Sequence, residues 1–443
     1  MKYSKYPSYK DSGVEWLGEI PEHWIKSKIK FTSSIFGRIG FRGYTTADIV
    51  EEGKGAITLS PSNMKNDKMV YTKLTYLNWD KYYESPEIQI KEEDVVFVKT
   101  GSTLGKVGYI ETLPHEMTLN PQLIVFKKRK CHAKYLYYLL NTKLIKAYVD
   151  NSNNGGTIPT MTQESILNYE VPSCEYTEQQ TIANYLDIAT AKIDTLIEKQ
   201  TKLIELLREK RQAVISTAVT RGLDNTVAMK NSGVEWLGEI PKHWEVWKMS
   251  HAFNTIGSGT TPTSTKESYY NGYIPWVTTG ELRENTILRT KKLLTDEAIQ
   301  DNSSLKLFPI NSIIIAMYGA TIGRLGVLGI KATTNQACCV MTDSPSIKNP
   351  YLYYWLMGYR DEIIKLGYGG GQPNISQDTI SSLQVSAPSI KLQEKIINYL
   401  DDKTSKIDKL ISKSTKAIDL LKEKRTALIS STVTGKIDVR EVA

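Results

Sequence analysis

Cysteine is scarce in this sequence and does not occur in a pattern used for metal or disulfide chemistry. There are four cysteines in 443 residues, and none belongs to a C-x-x-C pair. Cys338 and Cys339 are adjacent within the apolar run QACCVM, which is typical of a buried strand. A disulfide framework and a zinc site are therefore not expected.

Long apolar segments are also missing. No stretch approaches the ~18 consecutive apolar residues of a membrane span, and the opening MKYSKYPSYKDSG has no apolar run of the kind found in signal peptides. We therefore expect a cytoplasmic protein. Lys and Arg (56) exceed Asp and Glu (48), which gives a net charge of +8. This small excess is compatible with nucleic acid or another polyanion as partner, and equally with a solvated surface.

Catalytic constellations are absent from the sequence. The five histidines show no metal-ligand spacing, and neither G-x-S-x-G nor a metal-type H-E-x-x-H occurs. The segment GSTLGKVG comes closest to a phosphate-binding loop, but Gly101 and Gly105 enclose three residues instead of four, and Val107 follows Lys106 where a P-loop has Ser or Thr. A β-hairpin turn that presents Lys106 or, in the second copy, Arg324 outward fits better, and a tight turn whose basic side chain is merely solvated fits equally well. The chain is therefore predicted to bind rather than to catalyse.

Internal repetition is the dominant feature of the sequence. SGVEWLGEIPEHW, from Ser12, and SGVEWLGEIPKHW, from Ser232, differ at one position. Residues 178–220 align without a gap with 392–434, with 26 identities in 43 positions. Gene duplication explains the repetition itself. The uneven retention indicates that each half has a front that tolerates insertions and a back whose length and register are fixed.

The two backs are predicted to be long helices. From Thr177 to Arg221 there is neither glycine nor proline. A helix of 43 residues is about 64 Å long at a rise of 1.5 Å per residue. Its narrow apolar stripe requires a partner, and an antiparallel pair with the second copy is geometrically open. The predicted stripe of the first helix is Ile182, Leu186, Ala189, Ile193, Leu196, Gln200, Leu203, Leu207, Lys210 and Val214.

The two fronts alternate short β-rich runs with Gly, Asn, Ser and Pro turns, and each finishes in a tyrosine-rich helical stretch. This pattern predicts two mixed α/β domains with mostly β cores. The fold class is therefore α+β, with a pseudo-twofold internal repeat in which two long helices separate the two domains. The expected divisions are 1–172 and 223–388 for the domains, and 173–222 and 389–443 for the helices.

Together these parts resemble the specificity (S) subunits of type I DNA restriction-modification systems. The matching segments follow the family order along essentially the whole chain: SGVEWLGEIPEHW and SGVEWLGEIPKHW, GSTLGKVG and GATIGRLG, GGTIPTMT and GGGQPNIS, QQTIANYLD and QEKIINYLD, KIDTLI and KIDKLI, and LLREKR and LLKEKR. The resemblance implies that each front is a target-recognition domain for one half of a split, asymmetric double-stranded DNA site. It also implies that the helices pair as an antiparallel coiled coil that spaces the two domains.

The resemblance further implies the partners and cofactors. Two modification (methyltransferase) subunits would hold S-adenosylmethionine and methylate adenine, and restriction (motor-nuclease) subunits would use ATP and Mg for cleavage. The chain itself would be non-catalytic and would bind no cofactor. Two rival interpretations are a P-loop-like NTP-using DNA enzyme and a coiled-coil scaffold that does not bind DNA.

Candidate DNA contacts follow from chemistry, because polar side chains bind base edges and basic ones bind phosphates. In the first front we predict Ser60, Ser62, Asn63, Lys65, Lys99, Thr103 and Lys106. In the second we predict Thr278, Thr279, Glu281, Arg283, Tyr318, Thr321 and Arg324. Gln372 and Asn374 of GGGQPNIS suit either adenine recognition or capping of the next helix, and GGTIPTMT lacks both residues. The run KKRK at 127–130 suits either phosphate binding or solvation.

Overall fold

A computed structural model describes most of the chain as two compact units. The described residues are 4–15, 17–65, 68–151, 159–367 and 374–441. Unit 1 comprises residues 1–200 and 416–443, and unit 2 comprises residues 201–415. None of the helices in the described parts of the chain combines the length and apolar character that crossing a membrane requires.

Unit 1 is built on two four-stranded sheets. Its strands are β1 (Tyr9–Asp11), β2 (Glu19–Pro21), β3 (Ile25–Lys28), β4 (Ser34–Gly37), β5 (Ile49–Val50), β6 (Ala56–Leu59), β7 (Met64–Lys65), β8 (Lys68–Met69), β9 (Thr75–Leu77), β10 (Val95–Val98), β11 (Val107–Tyr109), β12 (Met117–Leu119), β13 (Leu123–Lys127) and β14 (Glu170–Ser173). Its helices are α1 (Ile29–Thr32), α2 (Trp79–Tyr83), α3 (Ala133–Leu140), α4 (Lys143–Asn151), α5 (Gln163–Leu167) and the first part of α6 (Tyr176–Arg221). The sheet orders are β11-β10-β13-β4 and β12-β6-β9-β5. Only the β12–β6 pair in these two sheets is parallel.

The central strands of unit 1 are buried on both faces. All four residues of β10, VVFV, are buried, as continuous apolar β-branched runs predict. Because successive side chains point to opposite faces, Val95 and Phe97 join the core that includes α3 and α6, whereas Val96 and Val98 join the core of the second sheet. The strand therefore lies between the helical layer and the second sheet. Strand β6 of that second sheet ends at Leu59, directly before the predicted DNA contacts that begin at Ser60.

Unit 2 has a related plan, with five and three strands in its two larger sheets. Its strands are β15 (Met229–Asn231), β16 (Glu239–Pro241), β17 (Glu245–Lys248), β18 (Ile256–Ser258), β19 (Tyr270–Val277), β20 (Asn285–Ile287), β21 (Lys292–Leu294), β22 (Ile313–Ala316), β23 (Leu325–Leu328), β24 (Thr333–Thr334), β25 (Cys338–Met341) and β26 (Gln384–Ala387). Its helices are the second part of α6, α7 (Met249–Ala252), α8 (Asp296–Asp301), α9 (Asn349–Gly358), α10 (Arg360–Lys365), α11 (Gln377–Ser382) and part of α12 (Ile390–Val433). The larger sheets have the orders β18-β25-β22-β23-β20 and β21-β19-β24. The predicted fold class, two mixed domains with largely β cores, is confirmed.

The two long helices pair antiparallel, as predicted. Helix α6 has 46 residues and α12 has 44. In unit 1, Arg425 Nε lies 2.9 Å from Asp194 Oδ1, and in unit 2, Arg211 Nε lies 3.0 Å from Asp408 Oδ1. A step of 17 residues forward on α6 thus corresponds to 17 residues backward on α12. Opposite chain directions are the only helix arrangement with that register.

The inward face of α6 follows the predicted stripe at Ile182 and Leu186 but departs from it at Leu196 and Leu203. Leu196 and Leu203 are 47% and 42% exposed, whereas Ile193 and Leu207 are buried. The inward line continues from Ile193 to Ile197, which packs against the core of unit 1. Apolar residues occupy two neighbouring heptad lines here, Leu196 and Leu203 on one and Ile197 and Ile204 on the other. Periodicity alone does not distinguish which of the two lines faces the partner helix.

The repeated SGVEWLGEIP segments pack instead of forming a site. Each contributes to a two-stranded hairpin, β1–β2 or β15–β16, and Trp24 and Trp244 are fully buried. Trp24 Nε1 donates to Glu178 Oε1 at 3.1 Å, and Tyr6 OH donates to the same oxygen at 2.8 Å. The second copy has Leu392 where the first has Glu178, and Trp244 Nε1 has no hydrogen-bond partner in the described structure.

The corrected helix phase predicts unequal costs for two neighbouring substitutions. Ile193→Ala should lower the free energy of unfolding by about 2–4 kcal/mol because it leaves a cavity between the helices. Leu196→Ala removes an exposed side chain and should change it by less than about 0.5 kcal/mol. Urea unfolding followed by circular dichroism measures both variants, and equal losses would contradict the assigned phase.

The Glu178 contacts predict a second stability effect. Glu178→Leu, which copies the second repeat, should destabilise unit 1 by roughly 2–4 kcal/mol because Tyr6 and Trp24 lose their buried acceptor. Gln180→Leu, at an exposed position on the same helix, is the matched control. Thermal unfolding with tryptophan fluorescence is the measurement. A midpoint that shifts no more than in the control would refute the structural role of Glu178.

Candidate nucleic-acid interface

Three of the predicted contacts in unit 1, Ser60, Ser62 and Asn63, form one capped turn, and Lys65 follows it in β7. Strand β6 ends at Leu59, and Pro61–Asn63 form a single 3-10 turn. The backbone N and Oγ of Ser60 donate to Asn63 Oδ1 at 2.9 and 3.1 Å, which is a capping box. Asn63 Nδ2 donates to Val70 O at 3.3 Å. Asn63 is only 2% exposed, so its amide is committed to holding the turn.

Unit 2 forms the same turn from different residues. Strand β19 ends at Val277, and Thr279–Glu281 form the 3-10 turn. The backbone N of Thr278 donates to Glu281 Oε2 at 2.7 Å. The other oxygen, Oε1, accepts from the backbone N of Lys291 at 2.7 Å. The Glu281 carboxylate therefore stabilises two loop segments at once.

The glycine-rich segments are tight hairpins, as predicted. Gly105 N donates to Val98 O, and Gly323 N donates to Ala316 O, each at 2.9 Å. Gly105 and Gly323 have φ of 84° and 73°, a conformation that favours glycine. Strand β11 or β23 follows the turn, where a P-loop requires a helix. This geometry does not support the nucleotide-binding interpretation.

The structure brings the capped turn and the glycine hairpin together in each unit. In unit 1, Lys106 Nζ donates to Met64 O at 2.7 Å. In unit 2, the backbone N of Glu284 donates to Leu325 O at 2.9 Å, and β20 pairs in parallel with β23. Residues separated by about 40 positions in the sequence thus share one edge of the domain. We name this surface in either unit the turn–hairpin edge, residues 60–65 with 99–107 and 278–284 with 318–325.

The side chains at these edges differ in exposure. Lys106 is half-buried and bound to Met64 O, so the expected outward orientation applies to Arg324 but not to Lys106. Lys99, Thr279, Thr321 and Tyr318 are partly buried, and burial raises the pKa of Tyr318 above its ordinary value, so its hydroxyl stays protonated. Of the predicted residues within the turn–hairpin edges, Ser62, Lys65, Thr103, Arg283 and Arg324 are exposed.

The loops before α5 and α11 approach the same edges. The backbone N of Met161 donates to Lys99 O at 2.9 Å, and that of Ile375 donates to Met317 O at 2.8 Å. Asn374 is exposed beside this contact, whereas Gln372 lies outside the described residues. Ser376 is the N-cap of α11. The capping role considered for Asn374 therefore belongs to a different residue.

Two residues of the basic run at 127–130 form ion pairs within the domain. Lys127 Nζ contacts the buried Asp94 carboxylate and donates to Gln89 O at 2.7 Å. Arg129 Nη1 lies 3.2 Å from the other Asp94 oxygen. Two of the four cations thus share one buried carboxylate within the domain. The partner is 33 residues away in sequence, so no local pattern marked it.

Sequence reasoning also missed the correspondence between the two capped turns. Residues 60–65 read SPSNMK and residues 278–283 read TTGELR. Both follow one pattern: a hydroxyl residue, a capping residue three positions later, then an apolar residue and a basic residue. The capping-box pattern was the available signal. The ion pair between Arg360 and Glu284, 2.6 Å apart in unit 2, had no such signal because 76 residues separate the partners.

The contact of Lys106 with Met64 predicts a local change in dynamics. Lys106→Met keeps the aliphatic stem but removes the donor, so the backbone N–H groups of Asn63 and Val70 should exchange hydrogen about five- to tenfold faster. Arg324→Met is the matched control, since Arg324 is exposed and unit 2 joins its edge through backbone hydrogen bonds. Hydrogen exchange by mass spectrometry tests this. Unchanged exchange in Lys106→Met would refute the linking role.

Comparison with known proteins gives the family. The family model for the type I restriction modification DNA specificity domain matches residues 40–206 and 241–419, more than half of the chain. The type I restriction enzyme MjaIX specificity subunit of Methanocaldococcus jannaschii is 23% identical over 436 residues, which cover 96% of each protein. The EcoR124I/EcoR124II specificity subunit of Escherichia coli is 26% identical over 293 residues, 64% of this chain and 65% of that subunit.

Solved structures share the fold. A chain from a type I R-M system gives a TM-score of 0.67 at 15% identity, and covers 94% of this chain and 98% of its own length. The crystal structure of the HsdS subunit from Thermoanaerobacter tengcongensis gives 0.54 at 14% identity with the same coverage. At these identities the likeness concerns the fold alone. With both halves matched by the family model, the chain belongs to the type I restriction-modification DNA specificity family.

Proposed function

We propose that this chain is the DNA-recognition subunit of a type I restriction-modification complex and carries no chemistry of its own. The observation that carries the proposal is the double family match, one to each half of the chain. The architecture supports it, because each unit offers one turn–hairpin edge with exposed polar and basic side chains. Side chains of this kind bind base edges and phosphates.

The target is a bipartite, asymmetric DNA sequence. Each unit contacts one half of it, and the exposed residues at the two edges differ, with Lys65 in one position and Arg283 in the equivalent one. Lysine and arginine differ in recognition because arginine binds guanine through two hydrogen bonds, whereas lysine acts as a compact charge. Unequal contact surfaces recognise unequal half-sites. The paired helices keep the two half-sites at a fixed spacing with unread base pairs between them.

The partners are two modification subunits and the restriction subunits. The long helices of the two repeats match without a gap, which supports binding of the same kind of partner twice. S-adenosylmethionine, ATP and Mg belong to those partners, and this chain needs none of them for recognition. The rival NTP-using enzyme lacks its phosphate loop, since the glycine segments form hairpins between strands.

Methylome sequencing of a suitable host tests the proposal. The chain, co-expressed with its cognate modification subunit in a host without adenine methylation, should produce one methylated motif with two unlike halves and a constant spacer. Either subunit alone should produce none. Affinity of the complex for this motif should fall steeply with salt, as expected for phosphate contacts. Methylation without a motif, or methylation by the modification subunit alone, would overturn the assignment.

A further inference from the structure

The six-residue segments 60–65 and 278–283 are equivalent position by position. Their first and fourth residues form the capping box in each unit. The fifth residue is a buried anchor, Met64 at 1% and Leu282 at 0% exposure. The sixth is an exposed base, Lys65 or Arg283. The two segments thus share one backbone conformation although no position carries the same residue in both. What they have in common is the hydroxyl, apolar or basic character of the side chain at the first, fifth and sixth positions.

The start of each segment is attached to the domain in the same way. The residue just before it, Leu59 or Val277, is buried and ends a strand. Its carbonyl accepts a backbone hydrogen bond from an asparagine. Asn120 N donates to Leu59 O at 2.9 Å, and Asn335 N donates to Val277 O at 3.0 Å. The preceding strands β6 and β19 pair in parallel with β12 and β24. The attachment is therefore independent of the residues that the segment carries.

Between the two segments, the inward-facing residues change in chemistry but keep their hydrogen-bonding role, whereas the outward-facing residues change freely. Asn63 and Glu281 differ chemically but perform the same capping function, and their oxygen atoms accept from neighbouring groups of the protein. The outward third position changes from Ser62 to Gly280, and Ser62 Oγ lies 2.6 Å from Ser60 Oγ. Chemical variation on a constant frame is what a specificity-determining element requires.

From this arrangement we infer that segments 60–65 and 278–283 are interchangeable specificity elements of the two units. The inference rests on the proposed function. Ser62, Lys65 and Arg283 contact the DNA, and Asn63 and Glu281 are positioning residues that orient the turn without contacting it. The Glu281 carboxylate accepts hydrogen bonds from two backbone N–H groups of the protein itself. Contacts with DNA phosphates are therefore left to the basic side chains.

Exchange of the segments tests the inference. Residues 60–65 are replaced by the sequence Thr-Thr-Gly-Glu-Leu-Arg in the full chain, co-expressed with its modification subunit, and the methylome is sequenced. The base preference should change in the half-site of unit 1, while the half-site of unit 2 and the spacer remain as in the wild type. A wild-type motif at undiminished methylation would overturn the inference. Absence of any motif with the wild-type chain would instead overturn the proposed function.

Single substitutions keep the test decisive if the exchanged chain does not fold. Arg283→Lys preserves the turn and should lower discrimination at one base pair roughly 10- to 100-fold. Glu281→Gln is nearly isosteric, but its amide nitrogen must face one of two N–H donors, so it should relax only the half-site of unit 2. The half-site of unit 1 is the internal control in both variants.

Salt dependence separates positioning from phosphate contact. Glu281→Gln should leave the salt slope of nonspecific DNA binding unchanged and reduce only the preference for the correct half-site. Lys65→Met should lower affinity for all sequences and reduce that slope by about one. An altered slope in Glu281→Gln, or equal loss at both half-sites, would contradict the positioning role. Intact discrimination in both Arg283→Lys and Glu281→Gln would refute the specificity element.

Discussion

A buried glutamine attaches each mixed domain to its long helix, and the geometry of the contact edges depends on this attachment. In unit 1, Gln179 Oε1 accepts from His132 N at 2.8 Å and its Nε2 donates to Cys174 O at 2.8 Å. In unit 2, Gln393 Oε1 accepts from Lys348 N at 2.8 Å and its Nε2 donates to Pro388 O at 2.9 Å. Unsatisfied buried amides cost about 1–3 kcal/mol each. Both domains are therefore held by the same polar contact at equivalent helix positions.

A second attachment two turns further along each helix prevents rotation about the first. Tyr138 OH donates to Asp187 Oδ1 at 2.7 Å, and Tyr354 OH donates to Asp401 Oδ1 at 2.6 Å. Burial raises the pKa of both tyrosines well above the ordinary value, so each hydroxyl remains a donor at physiological pH. Two contacts about eight residues apart fix orientation as well as position. A recognition edge carried by such a domain is presented at a defined angle to its helix.

The sequence predicted the features that depend on local pattern. The long helices, the repeat and the glycine hairpins all follow from spacing over a few residues, and the structure contains them. The failures share one cause, contact between distant residues. The predicted stripe was wrong at Leu196 and Leu203 because Ile197, on the neighbouring heptad line, packs inward instead. Lys106 bonds to Met64, and Asp94 neutralises Lys127, because folding brings together positions that no local pattern connects.

The repeat indicates how a recognition protein changes its target without losing its fold. Inward-pointing positions of the turn require only a side chain of suitable volume or a hydrogen-bond acceptor. Asn63 and Glu281 can therefore replace each other in the capping role. The Trp24 contact with Glu178 has no counterpart at Trp244, yet both hairpins form. The frame thus tolerates chemical exchange as long as burial and backbone hydrogen bonds are kept. The exposed residues of the same turn do not contribute to its folding in this way. They can therefore vary to suit contacts with molecules outside the chain.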